Sequence, residues 1–140
     1  MIKKIFLDAN IILDLIDIDR GNLEKTRAFI LRALKEGVLL STSCDILSTV
    51  YYVAKKRIDK QTLVQELATL MDIFEIDVID KDVIMLALEK NTEDLKLDFE
   101  DVLQSVCANM HACDILVTND KTFLKEDMLV LTLDEAMEKL

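Results

Sequence analysis

Proline and tryptophan are absent from this chain of 140 residues, and glycine occurs only at Gly21 and Gly37. With so few chain breakers there is no linker, no low-complexity segment and no internal repeat, so residues 1–140 are expected to form a single domain. A chain of this length buries roughly 70% of its unfolded surface. Because 51% of the residues are apolar, a solid core needs no disulfides. Aromatics are scarce as well, with five Phe and two Tyr, which leaves the packing to Leu, Ile and Val. No apolar run approaches the ~20 residues that cross a bilayer, so no membrane partner is expected. The apolar start of the chain is interrupted by Asp8 and Asp14, and no small-residue cleavage site follows. That reads against a signal peptide and for a cytoplasmic location.

Positive charge is short too. There are 17 basic residues against 27 acidic ones, a net charge of −10. Broad nonspecific affinity for nucleic acid rests on Lys and Arg at phosphates, and this balance argues against it. A specific nucleic-acid substrate is still allowed, because metal ions offset acidic clusters and the cations are locally grouped, as in Lys55-Lys56-Arg57. That run suits an RNA-facing patch or the basic end of a helix equally well. An acidic protein also suits a basic partner segment. The three cysteines, Cys44, Cys107 and Cys113, are odd in number and lack C-x-x-C spacing. On a helix Cys107 and His111 share a face while Cys113 points elsewhere. Buried reduced thiols and a surface histidine are therefore expected rather than a zinc site.

What is present is an alternation of apolar runs and amphipathic segments. Strands are expected at 3–7, Val38–Thr42, Ile73–Val78, 115–118 and 129–132. Helical segments are expected after Asn10, from Leu23 to Lys35 with Gly37 just beyond, and from an N-cap at Ser43 through Lys56. Further helices are expected over 60–72, from Asp80 or Lys81 to about Lys90, and from about Phe99 to Ala112. A short one opened by Thr132 or Asp134 ends the chain. Asn91–Leu97 reads as a polar loop. Such alternation gives a mostly parallel sheet covered on both faces, a three-layer α/β/α fold.

In a parallel α/β sheet ligands bind beyond the strand C-terminal ends. Asp8 closes the first strand, Asp120 follows the fourth, and Glu100 and Asp101 stand at the start of a long helix. These carboxylates are expected to converge. Two carboxylates 4 Å apart repel by about 4 kcal/mol at an effective dielectric near 20, so a cation between them is the natural remedy. Hard oxygen ligands point to Mg²⁺ or Mn²⁺. One or two such ions supply what phosphodiester hydrolysis needs, and no histidine or cysteine is required. Asp14, Asp17 and Asp19, past the first motif, read as solvated charges. Tyr51 and Tyr52 suit either stacking on bases or a half-buried helix face, and the second is expected.

Three segments taken together, Phe6–Asp14 with Leu7-Asp8-Ala9-Asn10, Asp98–Gln104, and Leu116–Phe123 with Thr118-Asn119-Asp120, resemble the PIN-domain family. The resemblance runs from Ile5 to the last strand and helix. It implies metal-dependent cleavage of RNA, and the family includes VapC-like toxin ribonucleases of toxin–antitoxin pairs. It also implies metal ligation by Asp8, Asp101 and Asp120, and support of those acids by Asn10 and Thr118. Asp98 and Glu100 would be additional acids near the metal. By the same resemblance an antitoxin partner and a homodimer are expected. One departure is visible. Many members carry a Glu on the helix after the second strand, and Thr49 stands there, as in a branch that keeps a Tyr-Tyr pair. Asp45, one turn earlier, either substitutes for that Glu or favours the helix N-terminus, and the second role is expected. Two other readings compete. A receiver domain would need an acidic pair after strand one and a Lys closing the last strand, and both are missing. A PIN-like RNA- or protein-binding module of weakened activity is favoured by Thr49 and by the net charge. It is opposed by the presence of Asp8, Asp101 and Asp120.

Overall fold

The computed structural model describes residues 1–140. Five strands form one sheet: β1 Lys4–Leu7, β2 Leu39–Ser43, β3 Phe74–Asp77, β4 Ile115–Val117 and β5 Val130–Leu131. Their spatial order is β3-β2-β1-β4-β5, and all four ladders are parallel. Ile5, Phe6 and Leu7 are wholly buried, as a central strand covered on both faces requires.

Seven α-helices cover the sheet: α1 Ala9–Ile16, α2 Leu23–Lys35, α3 Cys44–Ala54, α4 Lys60–Leu70, α5 Lys81–Glu93, α6 Phe99–Met110 and α7 Leu133–Lys139. Helices α5 and α6 pack on each other, α1 packs against α2 and α3, and α7 against α2, β4 and β5. The architecture is the expected α/β one, with a parallel central sheet between helices. Caps explain most helix starts. Asp59, Asp80 and Asp98 each accept from the backbone N–H three residues on, and Thr132 with Glu135 forms a capping box. No helix is long and apolar enough to cross a membrane.

Several local expectations are corrected. Helix α1 begins at Ala9, so Asn10 lies inside it. Helix α5 continues to Glu93 into the expected loop, because Asn91 spends its side-chain amide on the carbonyls of Asp94 and Leu97. Helix α6 stops at Met110, where Ala112 takes a left-handed φ of 59° and the Cys113 N–H returns to the Ala108 carbonyl. That turn brings Cys113 back over the sheet instead of away from it.

In β3 the apolar–acidic alternation does not mark an apolar inner face. Ile76 is partly exposed, while Asp77 is buried. The reason is Lys4, whose Nζ donates to Asp77 Oδ1 at 2.7 Å and lies 3.6 Å from Glu75. Burial opposes the Lys4 charge, but the Asp77 hydrogen bond and carboxylate outweigh it, and its pKa stands above the ordinary lysine value. Cys107 and Cys113 both reach Asp77, at 3.7 Å to its carbonyl and 3.4 Å to its carboxylate. Burial pushes both thiols up to about 12, so they stay protonated. Cys44 is exposed, contrary to expectation.

Asp14 and Asp17, expected in solvent, are buried as well. Arg20 Nε meets Asp14 at 2.6 Å, and Arg57 Nε meets Asp17 at 3.6 Å. These pairs clamp the 3₁₀ turn Ile18–Arg20 and the end of α3 to α1.

Removing one partner of a buried ion pair leaves an uncompensated charge. Lys4→Met is therefore expected to cost about 3–5 kcal/mol in urea unfolding. The double variant Lys4→Met/Asp77→Leu is expected to recover most of that loss. Equal destabilisation by both variants would reject the account.

Candidate active site

The register pairs Leu7 of β1 with Val117 of β4, so the next residues, Asp8 and Thr118, emerge side by side at the C-terminal edge of the sheet. Asp8 caps α1. Its Oδ1 accepts from the Ala9 N–H at 2.7 Å, and its Oδ2 accepts from Thr118 Oγ1 at 2.8 Å and Asn10 Nδ2 at 3.2 Å. Asn10 Nδ2 also donates to Thr118 Oγ1 at 2.8 Å, and Asn10 Oδ1 accepts from the Asn119 N–H at 2.9 Å. The Asp120 N–H completes the set by donating to Thr118 Oγ1 at 3.1 Å. One hydroxyl thus uses its single proton and both lone pairs.

Asp120 lies in the loop after β4. Its Oδ1 accepts from the backbone and hydroxyl of Thr122, at 2.9 and 2.7 Å, in an Asx-type turn. Asp98 caps α6 by accepting the Asp101 N–H at 3.1 Å, which sets Asp101 in the first helical turn. A cleft of about 390 Å³ opens between these elements, lined by Asp98, Glu100, Asp101, Asp120, Thr122 and Leu124, with Lys96 as its one cation. Asp8 lies behind this lining, half-buried.

Burial raises the Asp8 pKa, and the Asp120 charge adds to the effect, against the bonds from Ala9, Thr118 and Asn10. Asp101 is pushed up to about 6, first by desolvation and then by the charges of Asp98, Asp120 and Asp8. The contrast with the rest of the molecule is informative. Buried Asp14, Asp17 and Asp77 each face a cation at 2.6, 3.6 and 2.7 Å. Asp8, Asp101 and Asp120 take part in no salt bridge of this structure and share one neighbourhood.

The donor set suits a hard cation. Asp120 keeps Oδ2 free of hydrogen bonds, and Asp8 has one lone pair left of roughly four. No three His, Cys, Asp or Glu side chains close on a single point. An octahedral ion that takes one or two protein carboxylates and keeps its waters does not need them to.

The opposite wall was only partly legible. Thr49 is exposed on α3. Asp45 does more than complement the helix dipole: Ser43 Oγ and Gln104 Nε2 both contact its carboxylate. Ser43 occupies the N-cap position without a side-chain cap bond, and its hydroxyl lies 3.0 Å from Gln104 Oε1. Sequence reasoning missed Gln104 and Thr122. Thr122 carried a signal in its D-x-T spacing, whereas Gln104 had only its place one turn after Asp101.

The PIN domain family model matches residues 5–138. The chain belongs to the PIN domain family. Ribonuclease VapC1 of Aquifex aeolicus (strain VF5) is 36% identical over 138 residues, covering 98% of this chain and 95% of the relative. Among solved structures, VapBC2 from Rickettsia felis bound to a promoter DNA fragment aligns with a TM-score of 0.72 at 18% identity, over 92% of this chain and 98% of that one. VapC20 of Mycobacterium tuberculosis, a Sarcin-Ricin loop cleaving toxin, aligns with a TM-score of 0.69 at 15% identity, over 85% and 92%. At such identities these structures speak for the fold: this PIN chain shares their α/β architecture.

Because folding raises the Asp101 pKa above its unfolded value, ionising that carboxyl destabilises the metal-free protein as pH rises through about 6. Asp101→Asn is therefore expected to raise the metal-free Tm at pH 7. Allowing for solvent screening, the gain is about 1 kcal/mol, or roughly 3 °C. The advantage should vanish toward pH 4, where the wild-type carboxyl is neutral. Thr118→Val strands partners of one hydroxyl and is expected to cost about 1–3 kcal/mol. Calorimetry across pH 4–8 reads both, and a lower Tm for Asp101→Asn at pH 7 would count against the electrostatic picture.

Proposed function

We propose that this PIN chain, acting as one domain, is an endoribonuclease that hydrolyses RNA phosphodiesters with Mg²⁺ or Mn²⁺. We further propose that it serves as the toxin of a toxin–antitoxin pair. The single observation behind the chemistry is the gathering of like-charged carboxylates at one sheet edge, half-buried Asp8 and Asp101 beside exposed Asp98, Glu100 and Asp120, with no salt bridge to any of them. The 36% identity to Ribonuclease VapC1 supports RNA as the substrate. Solved neighbours that include a toxin–antitoxin complex from Klebsiella pneumoniae support an antitoxin partner. A homodimer is part of the same reading.

Asp8, Asp101 and Asp120 would hold the ion, with Asp98 and Glu100 beside them. The bound ion supplies charge neutralisation at the phosphoryl oxygens and a nucleophilic water. The chain's own groups do the positioning. Thr118 and Asn10 fix the Asp8 carboxylate, and Thr122 fixes one oxygen of Asp120 while leaving the other free. Asp101, pushed up to about 6, is mostly ionised at neutral pH and neutral in mild acid. Because protons compete with the ion for these carboxylates, cleavage at sub-saturating metal should weaken as pH falls.

A second reading, a binding module without activity, draws on Thr49 and on the engagement of Asp45 by Ser43 and Gln104. The two are separated by incubating RNA with the protein in Mg²⁺ or Mn²⁺, beside EDTA and an Asp8→Asn/Asp101→Asn control. The nuclease reading expects cleavage that both controls abolish. RNA left intact, with no rise of Tm on adding either ion, would favour the binding module. A saturating ion at 100 times its Kd is expected to add about 2.7 kcal/mol of stability.

A further inference from the structure

Away from the cleft, the chain concentrates its scarce positive charge at one place. Lys55, Lys56, Arg57 and Lys60 fall within six positions, with Asp59 the one acid among them, and no run of six elsewhere holds more than two cations. These four side chains are exposed. Arg57 is held by buried Asp17 at 3.6 Å, so it belongs to the scaffold. Lys55 and Lys56 behave differently. Their ammonium groups lie 4.7 and 5.4 Å from the ring centroid of Tyr52, and neither takes part in a salt bridge. Tyr52 itself is 60% exposed, which corrects the expectation of a half-buried pair; Tyr51 alone fills that role.

The ring face and both ammonium groups are open to solvent and free to engage a ligand. Two lysines gathered on one ring in a chain of net charge −10 define an anion-attracting spot where the rest of the surface repels anions. The combination of π-face and cations is the one that unpaired nucleic acid recognises: bases stack on the ring while Lys or Arg tracks the phosphates. The patch lies toward the end of α3 that is distant from the cleft, so a bound strand has to span the length of the helix. Helix α3 leaves the C-terminal edge of β2, the edge that carries Asp8, and Tyr52 lies seven residues beyond Asp45. At 1.5 Å per residue that is about 10 Å along the helix axis.

We propose that Tyr52, Lys55 and Lys56 form a second RNA contact, a platform that stacks one unpaired base and holds its neighbouring phosphates while the strand runs on to the acidic cleft. The proposal rests on the ribonuclease reading for its ligand class. It adds positive charge to that reading, since a cleft lined by four acids and one lysine attracts a polyanion only through its bound ion. When a base arrives, the lysine heads exchange the ring face for phosphate oxygens, and the ring exchanges ammonium for base.

The test is equilibrium binding of a fluorescein-labelled single-stranded RNA 20-mer, read by anisotropy in Mg²⁺ over a salt series. An Asp101→Asn background keeps the strand intact. Tyr52→Ala is expected to weaken binding about tenfold, whereas Tyr52→Phe keeps the ring and should bind like the parent. Lys55→Gln/Lys56→Gln should weaken binding and lower the salt slope by about 1.4, roughly 0.7 for each lost phosphate contact on a single strand. All these positions are solvent-exposed, and an unchanged Tm will show that the variants fold. Parent-like Kd and slope in the Tyr52→Ala and lysine variants would overturn the platform and leave the nuclease intact. If those variants bind RNA normally but lose binding to an acidic peptide that the parent retains, the patch belongs to a protein partner and the proposal fails. A parent protein that binds no RNA would overturn the nuclease reading and this one together.

Discussion

Thr118 has one proton to donate and two lone pairs to offer, and Asp8, Asn10 and the Asp120 backbone take all three. That arrangement exists only while β1 and β4 keep the register that pairs Leu7 with Val117. A slip of one residue would turn the Thr118 side chain to the other face of the sheet. It would also separate Asp8 from the hydroxyl that offsets its burial. The position of α1, which begins on the Asp8 cap, and of the loop carrying Asp120 both follow from this contact. The sheet and the cleft are therefore a single problem in registration.

Charge is handled in two ways within one molecule. Three buried carboxylates, on Asp14, Asp17 and Asp77, are matched to Arg20, Arg57 and Lys4, and they tie turns and strands together. The carboxylates at the sheet edge are instead held by neutral donors, which orient an anion without cancelling it. Folding thereby accepts a local electrostatic cost that it avoids elsewhere. An unneutralised anionic cleft on a rigid sheet edge is the arrangement from which the proposed chemistry follows.

Much of this was legible in the order of residues. The apolar runs and their periodicities gave five strands and the alternation that makes them parallel, and the acids at run ends gave the cleft. The exceptions have a common cause. Whether Asp14 or Asp17 lies in solvent depends on where Arg20 and Arg57 return in space, and periodicity carries no such information. The convergence of Cys107, Cys113 and His111 near Asp77 depends on a left-handed turn at Ala112, a residue with no propensity for it. Asp45 looked like a dipole partner because its true neighbour, Gln104, lies 59 positions away. Tyr52 looked half-buried because helical spacing does not say which helix covers which face.

The long separation between Asp8 and Thr118, 110 positions, also governs when the cleft comes into being. At translation rates of about 5–20 residues per second, roughly 5–20 s pass between the synthesis of the two residues. During that interval β1 has only β2 to pair with, and Asp8 lacks its hydroxyl partner. The carboxylates can meet only once the loop that carries Asp120 has been made. Whatever reaction they support is thus withheld from the growing polypeptide on the ribosome by topology alone.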